Sequence, residues 1–472
     1  MLRALVTSGK LRGPASVPRQ QGADGADLLM GKANSEDFVP SLAYGITGSN
    51  NDTDRIYRLL LATYHPRNYY AVHIDDAESA LALRTKLAAH PVLAATVAVG
   101  AAEAAGSGEY VTVTGGAGRI HVIMDPEMVT VEGGSHLAVL LRLAHTLLRM
   151  GEGEAEGDGG ERGREGEGDG GEGGREEEGD GGEGGREEEG DGGERAGAME
   201  PKKGAQKSIG GGTRGQASGW QWLVLLGAED YPLVTQDELL WLLSSASPRL
   251  SFMDHVVDHR FDYRQESAFA DNALFEGRRG GRWIADVRDR VTRFEVYTGS
   301  FPLIASQPFI RYLIDEPHAV PRRMLMFLGD TLSPHLHYLS TAACQSARFN
   351  HTVVNSGLHF PPFTVTQGHE VPPVNASVWQ NLTGKGASGG GVFLFVHDPD
   401  PGLIDEIDRE LLHREEASVV DCRVECTSTV QQTAQHNTAK TSVHSLLQPS
   451  QRVTELRREL QRTIINNRPC EV

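Results

Sequence analysis

Long apolar segments are absent from this sequence. Its longest apolar runs fall far short of the ~20 residues that a helix needs to cross a bilayer, so no transmembrane segment is predicted. The first twenty residues contain four cations, and no acid precedes Asp24, but this region lacks the apolar centre of a targeting segment. We predict that residues 1–40 are disordered, and both a targeting segment and an incomplete N-terminus are compatible with their composition.

Cysteine is scarce, and its spacing excludes the common zinc sites. The chain has no Cys-x-x-Cys pair, so a structural zinc site is not predicted. The even number of cysteines suits one or two disulfides in an oxidising compartment, and the residues concerned are Cys344, Cys422, Cys426 and Cys470. Four Asn-x-Ser/Thr sequons point to the same kind of compartment, although sequons often arise by chance: Asn51, Asn350, Asn375 and Asn381.

Apolar residues make up 39% of the chain, below the ~45–50% that is usual for globular proteins. One acidic insert explains much of the deficit. Residues 151–196 hold 19 acidic and five basic side chains, so this stretch carries −14 of the net charge of −19 and the rest carries only −5. The remainder is mildly acidic, which argues against a nucleic-acid partner.

The insert contains three copies of an 11-residue unit, which begin at Gly163, Gly174 and Gly185. Repeats so rich in glycine and charge bury too little apolar surface to offset the entropy of the chain. We therefore predict that residues 151–218 form a disordered surface loop. A solvated spacer and an anionic tether for cations or basic partners are the two interpretations of its role.

Outside the insert, apolar strands alternate with amphipathic helices. We predict strands near residues 42–47, 70–74, 120–124 and 220–226, and helices after residue 53, near 78–89, over 135–150 and over 236–243. This alternation predicts an α/β fold with a mostly parallel sheet flanked by helices. The insert divides the domain into residues 41–150 and 219–415, and a cysteine-containing tail follows over 416–472.

Acidic residues follow two of the predicted strands. Asp75 comes directly after one strand, and Glu229 and Asp230 come just after another. Ligands of such sheets bind outside the carboxyl ends of the strands. We therefore expect the loops after Ile74 and Leu226 to meet at one edge of the sheet and form a single pocket.

Several short blocks, taken in order, carry a resemblance to a known family: Ala43–Ser49, Asp54–Arg58, Tyr64–Asn68, Val72–Asp75, Trp220–Leu233, Val234–Leu240, Tyr297–Ser300, Pro308–Tyr312, Arg348–Thr352, Leu358–Phe360 and Ile404–Leu412. They resemble blocks of the core-2/I-branching glycosyltransferases, in particular the plant β-glucuronosyltransferases that act on arabinogalactan proteins. The resemblance spans residues 42–414 apart from the insert.

The resemblance implies a GT-A-like, Rossmann-like fold in the lumen of the Golgi, carried on an N-terminal membrane anchor that this chain does not show. It implies an inverting transfer of glucuronic acid from a UDP-sugar to a galactan-type acceptor such as arabinogalactan. A related donor, UDP-N-acetylglucosamine or UDP-xylose, is the alternative within the same fold. No metal or other cofactor is expected, because relatives lack the metal-binding Asp-x-Asp and this strand ends in His73–Asp76.

The resemblance also assigns candidate site residues. Gly48 and Asp75 would hold the nucleotide, Gly48 by letting the backbone come close and Asp75 by contact with the uridine. Glu229 would bind the donor, and Asp230 would serve the reaction directly. Gly299 and Ser300 would form part of the pocket wall. The plainer alternatives are a turn glycine at Gly48, helix capping by Asp75, turn hydrogen bonds by Asp230 and a strand-end turn at Gly299–Ser300.

Two positions differ from the pattern of the relatives. Where they carry a glutamate after Ser-Pro, this chain has His335, which can act as a catalytic base because the ordinary pKa of histidine is ~6.5. Where they carry lysine or arginine before the last helix, residues 391–397 have no cation, and Lys385 or Arg278 and Arg279 are the substitutes considered. The alternative is therefore a catalytically inactive domain that binds glycan or stabilises partner transferases.

Overall fold

The structure is a computed structural model. It describes residues 39–94, 119–157, 219–257, 266–277, 281–288, 294–316, 320–362, 374, 392–414, 450–467 and 470.

The first half of the domain alternates strands and helices as predicted. Its elements are β1 (Leu42–Gly48), α1 (Thr53–Thr63), β2 (Tyr69–Ile74), α2 (Ala77–Ala89), β3 (Ile120–Val122), α3 (Gly134–Gly157), β4 (Trp222–Gly227), β5 (Asp230–Pro232) and α4 (Gln236–Leu243).

The second half has shorter strands and more helices. Its elements are β6 (Ser251–Phe252), β7 (Val256–Val257), β8 (Ser267–Asp271), α5 (Asn272–Phe275), β9 (Arg282–Val287), β10 (Tyr297–Thr298), β11 (Leu303–Ser306), α6 (Gln307–Ile314), α7 (Val320–Leu328), α8 (Pro334–Cys344), β12 (Val353–Val354), β13 (His359–Phe360), β14 (Phe395–His397), α9 (Pro401–Glu410) and α10 (Gln451–Ile465).

Seven strands form the main sheet, in the order β12-β6-β11-β4-β1-β2-β3. Every neighbouring pair in it is parallel except the two that involve β11, which runs against β4 and β6. The predicted α/β class with a mostly parallel sheet is confirmed. A smaller sheet, β13-β14-β5, lies beside it and brings the chain after β4 next to a strand from near the end of the domain.

Both faces of the main sheet are covered, which explains why its central strands read as continuous apolar runs. In β1, Leu42, Tyr44 and Ile46 pack into the core formed with α1, α2, α4, α9 and α10. Ala43 faces the other core, which α3, α6 and α8 complete. A side chain at Gly45 would collide with Leu225 and would also press on Leu143 of α3. Glycine at this position therefore lets α3 approach β1 closely.

Local capping explains two of the helix starts. The Asp76 carboxylate accepts a hydrogen bond from the Ser79 amide at 2.8 Å and so caps α2. At α4, Thr235 and Glu238 form a reciprocal capping box. These side chains satisfy amides that the first turn of a helix leaves without a helical partner.

Helix α3 extends beyond its predicted end at residue 150 and reaches Gly157. The added turn is held by ion pairs of Glu152 with Arg149 at 2.9 Å and with Arg311 at 2.7 Å. A helix end predicted at the point where glycine and acidic residues become frequent therefore lies one to two turns before the observed end of α3. Residues 158–218 of the predicted insert lie outside the described residues.

The predicted C-terminal tail contains ordered structure. Helix α10 buries Val453, Leu460 and Ile464 against the core, and Cys470 forms a disulfide with Cys344 at the end of α8. The two cysteines are 126 residues apart, and a link that closes so long a loop is worth about 5 kcal/mol in the chain-entropy account. Cys422 and Cys426 lie outside the described residues.

In the described part of the chain, no helix has the length and apolar character needed to cross a membrane.

The two ends of the insert lie close together, because the backbone of Gly219 approaches that of Gly151. We expect a chain in which a short Gly-Ser linker replaces residues 158–218 to unfold cooperatively, with a melting temperature within about 2 °C of the full chain. A change this small corresponds to less than ~1 kcal/mol. Thermal unfolding followed by circular dichroism provides the measurement.

A second deletion, of residues 151–218, serves as the control, because it also removes Glu152 and its two ion pairs. We expect this longer deletion to melt at a lower temperature than the shorter one. If the shorter deletion gives insoluble or non-cooperatively unfolding protein, the insert is part of the folded core.

Candidate active site

The carboxyl ends of three parallel strands meet at one edge of the main sheet. Strand β1 pairs with β2 on one side and β4 on the other, with Gly48 opposite Ile74 and Thr47 opposite Gly227. The loops that follow Ile74 and Leu226 therefore leave from the same edge. This edge is where the sequence analysis expects the pocket.

Asp75 lies directly at this edge. Its amide donates to the Gly48 carbonyl at 3.2 Å, and its side chain is mostly buried. The capping alternative does not apply, because the neighbouring Asp76 caps α2. The role of Asp75 in nucleotide binding stays a prediction.

Gly48 is tightly surrounded at the end of β1. A Cβ placed on it would lie 2.6 Å from Ile56 Cδ1 and 3.1 Å from Ala228 Cβ. The close packing of α1 and of the turn after β4 therefore gives one reason for glycine here. Its approach to a nucleotide stays a prediction.

Asp230 is buried at the start of β5, directly after the turn that follows β4. Its carboxylate accepts a hydrogen bond from the Gly227 amide at 2.6 Å and lies 2.8 Å from His397 Nδ1. The first contact is the turn bond that the sequence alternative describes. The second joins the turn to a strand that lies far along the chain.

His397 ends strand β14, which runs antiparallel to β5 so that His397 and Asp230 are opposite each other. Burial would lower the pKa of His397, but the hydrogen bond and charge of Asp230, with the charges of Glu229 and Asp398, raise the pKa to about 9. His397 is therefore a cation at neutral pH. Residues 391–397 contain no lysine or arginine, and His397 is the cation that this stretch provides.

Glu229 lies in the turn between β4 and β5. Its carboxylate folds back over Gly227, whose position leaves no room for a Cβ beside it. Burial, and then the negative charge of Asp230, raise the pKa of Glu229 to about 7, while His397 acts in the opposite direction. The site thus places a carboxylate that titrates near neutrality beside a histidine that stays charged.

A network of buried charged and polar side chains fixes β5 through Tyr231. The Tyr231 hydroxyl donates to Asp408 Oδ1 at 2.7 Å, and Arg414 Nη1 donates to the same oxygen at 2.9 Å. Arg58 donates to the other oxygen of Asp408 at 2.7 Å. Because each buried charge has a partner, the network fixes β5 between α1 and α9 without an uncompensated charge.

Glu229, Asp230 and His397 form the first wall of the candidate site. Gly299 and Ser300, which follow strand β10, form the second wall. The Ser300 hydroxyl donates to the Asp254 carboxylate in a short hydrogen bond. Gly299 is pressed against the Asp254 carbonyl oxygen, so a Cβ there would collide with the backbone. The two residues directly follow β10 and are packed on a carboxylate that was not predicted from the sequence.

His335 lies in the first turn of α8, next to this second wall. The Gly299 amide donates to the Leu336 carbonyl at 2.8 Å, which joins the wall to the helix. The His335 ring lies against the His136 ring with 4.1 Å between centroids. Ser333, at the start of the helix, has a φ of 51°, so the chain enters α8 through a left-handed residue.

His359 links the two walls. The His359 Nδ1 atom lies 3.9 Å from Asp254 Oδ2. The charges of Asp230 and His397 also act on the pKa of His359. Burial lowers the pKa of His359, and the two aspartates oppose this effect. The candidate site therefore runs from Asp75 and Gly48, through Glu229, Asp230 and His397, to the second wall.

A metal-ligand arrangement does not occur at this edge among the described residues. The group of side chains that the structure brings within metal-binding distance is His255, Cys344 and Cys470. Both sulfur atoms belong to the disulfide and so are not thiolates, the form that binds metals. Metal independence stays a prediction.

The sequence analysis missed His397, Asp254 and His359. His397 meets Asp230 across 167 positions of sequence, and strand pairing at that distance leaves no local pattern. The available signal for His397 was its place at the end of a short apolar strand just before Asp398. Lys385, Arg278 and Arg279 lie outside the described residues.

Comparison with known proteins agrees with this geometry. The family model described as Core-2/I-Branching enzyme matches residues 216–383. Beta-glucuronosyltransferase GlcAT14B of Arabidopsis thaliana is 26% identical over 384 residues, which cover 80% of this chain and 68% of the relative. GlcAT14A and GlcAT14C of the same plant are 26% and 23% identical, and the matches cover 65% and 74% of their lengths.

The sheet and its edge, together with these matches, define the class of protein as a glycosyltransferase. Residues 216–383 are similar to the Core-2/I-Branching enzyme family, and the three curated relatives are named β-glucuronosyltransferases. The resemblance expected from the sequence blocks is confirmed.

The contact between Gly299 and Asp254 can be tested by adding one methyl group. We expect Gly299→Ala to lower the free energy of unfolding by about 1–3 kcal/mol, because the new Cβ would overlap the Asp254 carbonyl oxygen and lie 2.5 Å from Ser340 Oγ. Urea denaturation measures the change.

Gly402→Ala is the matched control. A Cβ at Gly402 would meet only Asp400 Oδ1, at 3.4 Å, and alanine has the higher helix propensity. We expect this variant to be as stable as the parent or slightly more stable. Equal stability of the two alanine variants would contradict the packing described for the second wall.

Proposed function

We propose that this protein transfers a sugar, glucuronic acid, from a UDP-sugar to a galactan-type glycan such as arabinogalactan, with inversion at the anomeric carbon and without a metal. The observation that carries the proposal is the charged pair Asp230–His397 at the edge where β1, β2 and β4 end. The names of the curated relatives favour glucuronic acid over N-acetylglucosamine or xylose as the transferred sugar. By family resemblance, the reaction takes place in the Golgi lumen, on a chain with type II topology.

Nucleotide binding is assigned to Gly48 and Asp75. Both lie at the end of neighbouring parallel strands and are joined by the hydrogen bond between their backbones. Ligands of doubly wound sheets bind at this place. Fixing the nucleotide here would aim the diphosphate and the donor sugar along the edge toward Glu229 and His397.

His397 supplies the positive charge that the departing diphosphate needs. A fixed cation lowers the barrier because it stabilises charge that develops in the transition state. Asp230 holds the His397 ring in place and raises its pKa, so in this proposal it serves the reaction by positioning. Glu229, which is less buried than Asp230, lies on the side of the donor sugar.

His335 is the proposed base that accepts the proton of the attacking hydroxyl group. In an inverting displacement the attacking and leaving oxygens lie on opposite faces of the sugar. His335 belongs to the wall built on Gly299, whereas His397 belongs to the wall built on Asp230. A base and a cation on different walls suit that geometry.

The nucleotide assignment predicts that Asp75→Ala abolishes UDP binding. Calorimetric titration of the parent protein with UDP should show micromolar affinity, and the variant should show no binding up to millimolar UDP. Asp54→Ala is the control, because Asp54 is strongly exposed and pairs with surface Lys86. Normal UDP binding by the Asp75 variant would refute the assignment, and no binding by the parent would favour an inactive domain.

The His397 assignment predicts an alkaline limit to the reaction. Because the pKa of His397 is raised to about 9, the cation persists at neutral pH and is lost as the pH rises through about 9. We expect the transfer rate to fall above that pH. Initial rates with UDP-glucuronic acid and galactan oligosaccharides, measured from pH 6 to about 10.5, check this.

Two variants sharpen the pH experiment. His397→Gln removes the charge, so we expect kcat to fall by about 10²–10³-fold and the alkaline limit near pH 9 to disappear. His397→Lys keeps a cation of higher ordinary pKa and should retain more activity than the glutamine variant. A glutamine variant with the parental rate would exclude His397 from the reaction.

A further inference from the structure

The C-terminal segment is joined to the helix that carries His335. The disulfide connects Cys344, at the last turn of α8, to Cys470. His335 and Ser340 lie on the same helix. The disulfide therefore fixes the chain that follows α10 beside one element of the candidate site.

Asn467 lies three residues before Cys470 and makes two hydrogen bonds to the chain after α8. Its Nδ2 donates to the Val353 carbonyl at 2.6 Å, and its Oδ1 accepts from the Asn355 amide at 2.9 Å. One side chain thus pairs with a carbonyl of β12 and with the amide of the residue that follows this strand, at the border of the main sheet.

Asn355 connects Asn467 to His255, in the chain that follows β6. The His255 amide donates to Asn355 Oδ1 at 3.0 Å, and Asn355 Nδ2 donates back to the His255 carbonyl at 3.1 Å. The two bonds form a closed pair between residues 100 positions apart. Such a pair fixes the backbone of His255 and of its neighbour Asp254.

Asp254 is the residue on which the second wall rests. Its carboxylate accepts from the Ser300 hydroxyl and, at 3.1 Å, from the Gly357 amide. Its carbonyl oxygen accepts from Ser340 Oγ of α8 at 3.0 Å. A shift of the Asp254 backbone would therefore move Ser300, Gly357 and the contact with α8 together.

We propose that Asn467 is a positioning residue for transfer: held by the Cys344–Cys470 link, it places Asp254, through Asn355 and His255, and thereby the wall that carries Ser300. This inference rests on the proposed function. The nucleotide residues Gly48 and Asp75 lie on the other part of the edge, so Asn467 affects the chemistry of transfer and leaves UDP affinity unchanged.

The test compares Asn467→Ala with Asn466→Ala in the full chain. Asn466 is the adjacent residue of the same type and is exposed, so its variant matches the change without touching β12. Hydrogen exchange of the His255 and Gly357 amides is measured first, since both amides donate into the proposed path. We expect several-fold faster exchange at both positions in Asn467→Ala and parental exchange in Asn466→Ala.

Kinetics and UDP titration provide the second readout. Small misplacements of catalytic groups cost up to about 10²-fold in rate, so we expect Asn467→Ala to lower kcat about tenfold or more while the affinity for UDP stays parental. Asn467→Asp keeps the acceptor for Asn355 but loses the donor to Val353, and it should fall between the parent and the alanine variant.

The outcomes separate this inference from the proposed function. Parental exchange at His255 and Gly357 in Asn467→Ala overturns the inference, as does a lowered melting temperature with unchanged kcat well below it. If the parent itself transfers no sugar, the proposed function fails, and faster exchange at the two amides still supports the path from Asn467 to Asp254.

Discussion

The ion pair between Asp230 and His397 is the interaction on which the candidate site depends. It joins the turn after β4, at the edge of the main sheet, to the last residue of β14 in the smaller sheet. Because Asp230 is fully buried, loss of His397 would leave an uncompensated charge, a defect that typically costs about 3–5 kcal/mol. The same contact keeps His397 protonated at neutral pH. One pair therefore joins the two sheets at the site and keeps the histidine charged.

Two further constraints keep that pair in place. Asp408 accepts hydrogen bonds from Tyr231, Arg58 and Arg414, and these fix β5, which begins with Asp230. In the second wall, Asp254 accepts a hydrogen bond from Ser300. His359 lies 3.9 Å from Asp254 and feels the charge of Asp230, which connects the two sides electrostatically. The main sheet fixes where the site lies, and these polar contacts fix the positions of the side chains that line it.

Much of the architecture could be predicted from the sequence, because it follows from local rules. The apolar runs of β1, β2 and β4 and the amphipathic stretches between them predicted the alternation of strands and helices. Placing Asp75 and Asp230 at one edge needed only the parallel direction of those strands. The extent of α3 was missed because Arg311, which pairs with Glu152, is distant in sequence. His397 and Asp254 were missed for the same reason, since each acquires its meaning from a partner on another strand or loop.

A structure of the protein with UDP bound tests the central claim most directly. The account predicts the uracil and ribose beside Gly48 and Asp75, with a diphosphate oxygen within hydrogen-bond distance of the His397 ring. UDP bound away from the ends of β1 and β2, or with its diphosphate turned away from His397, would contradict it.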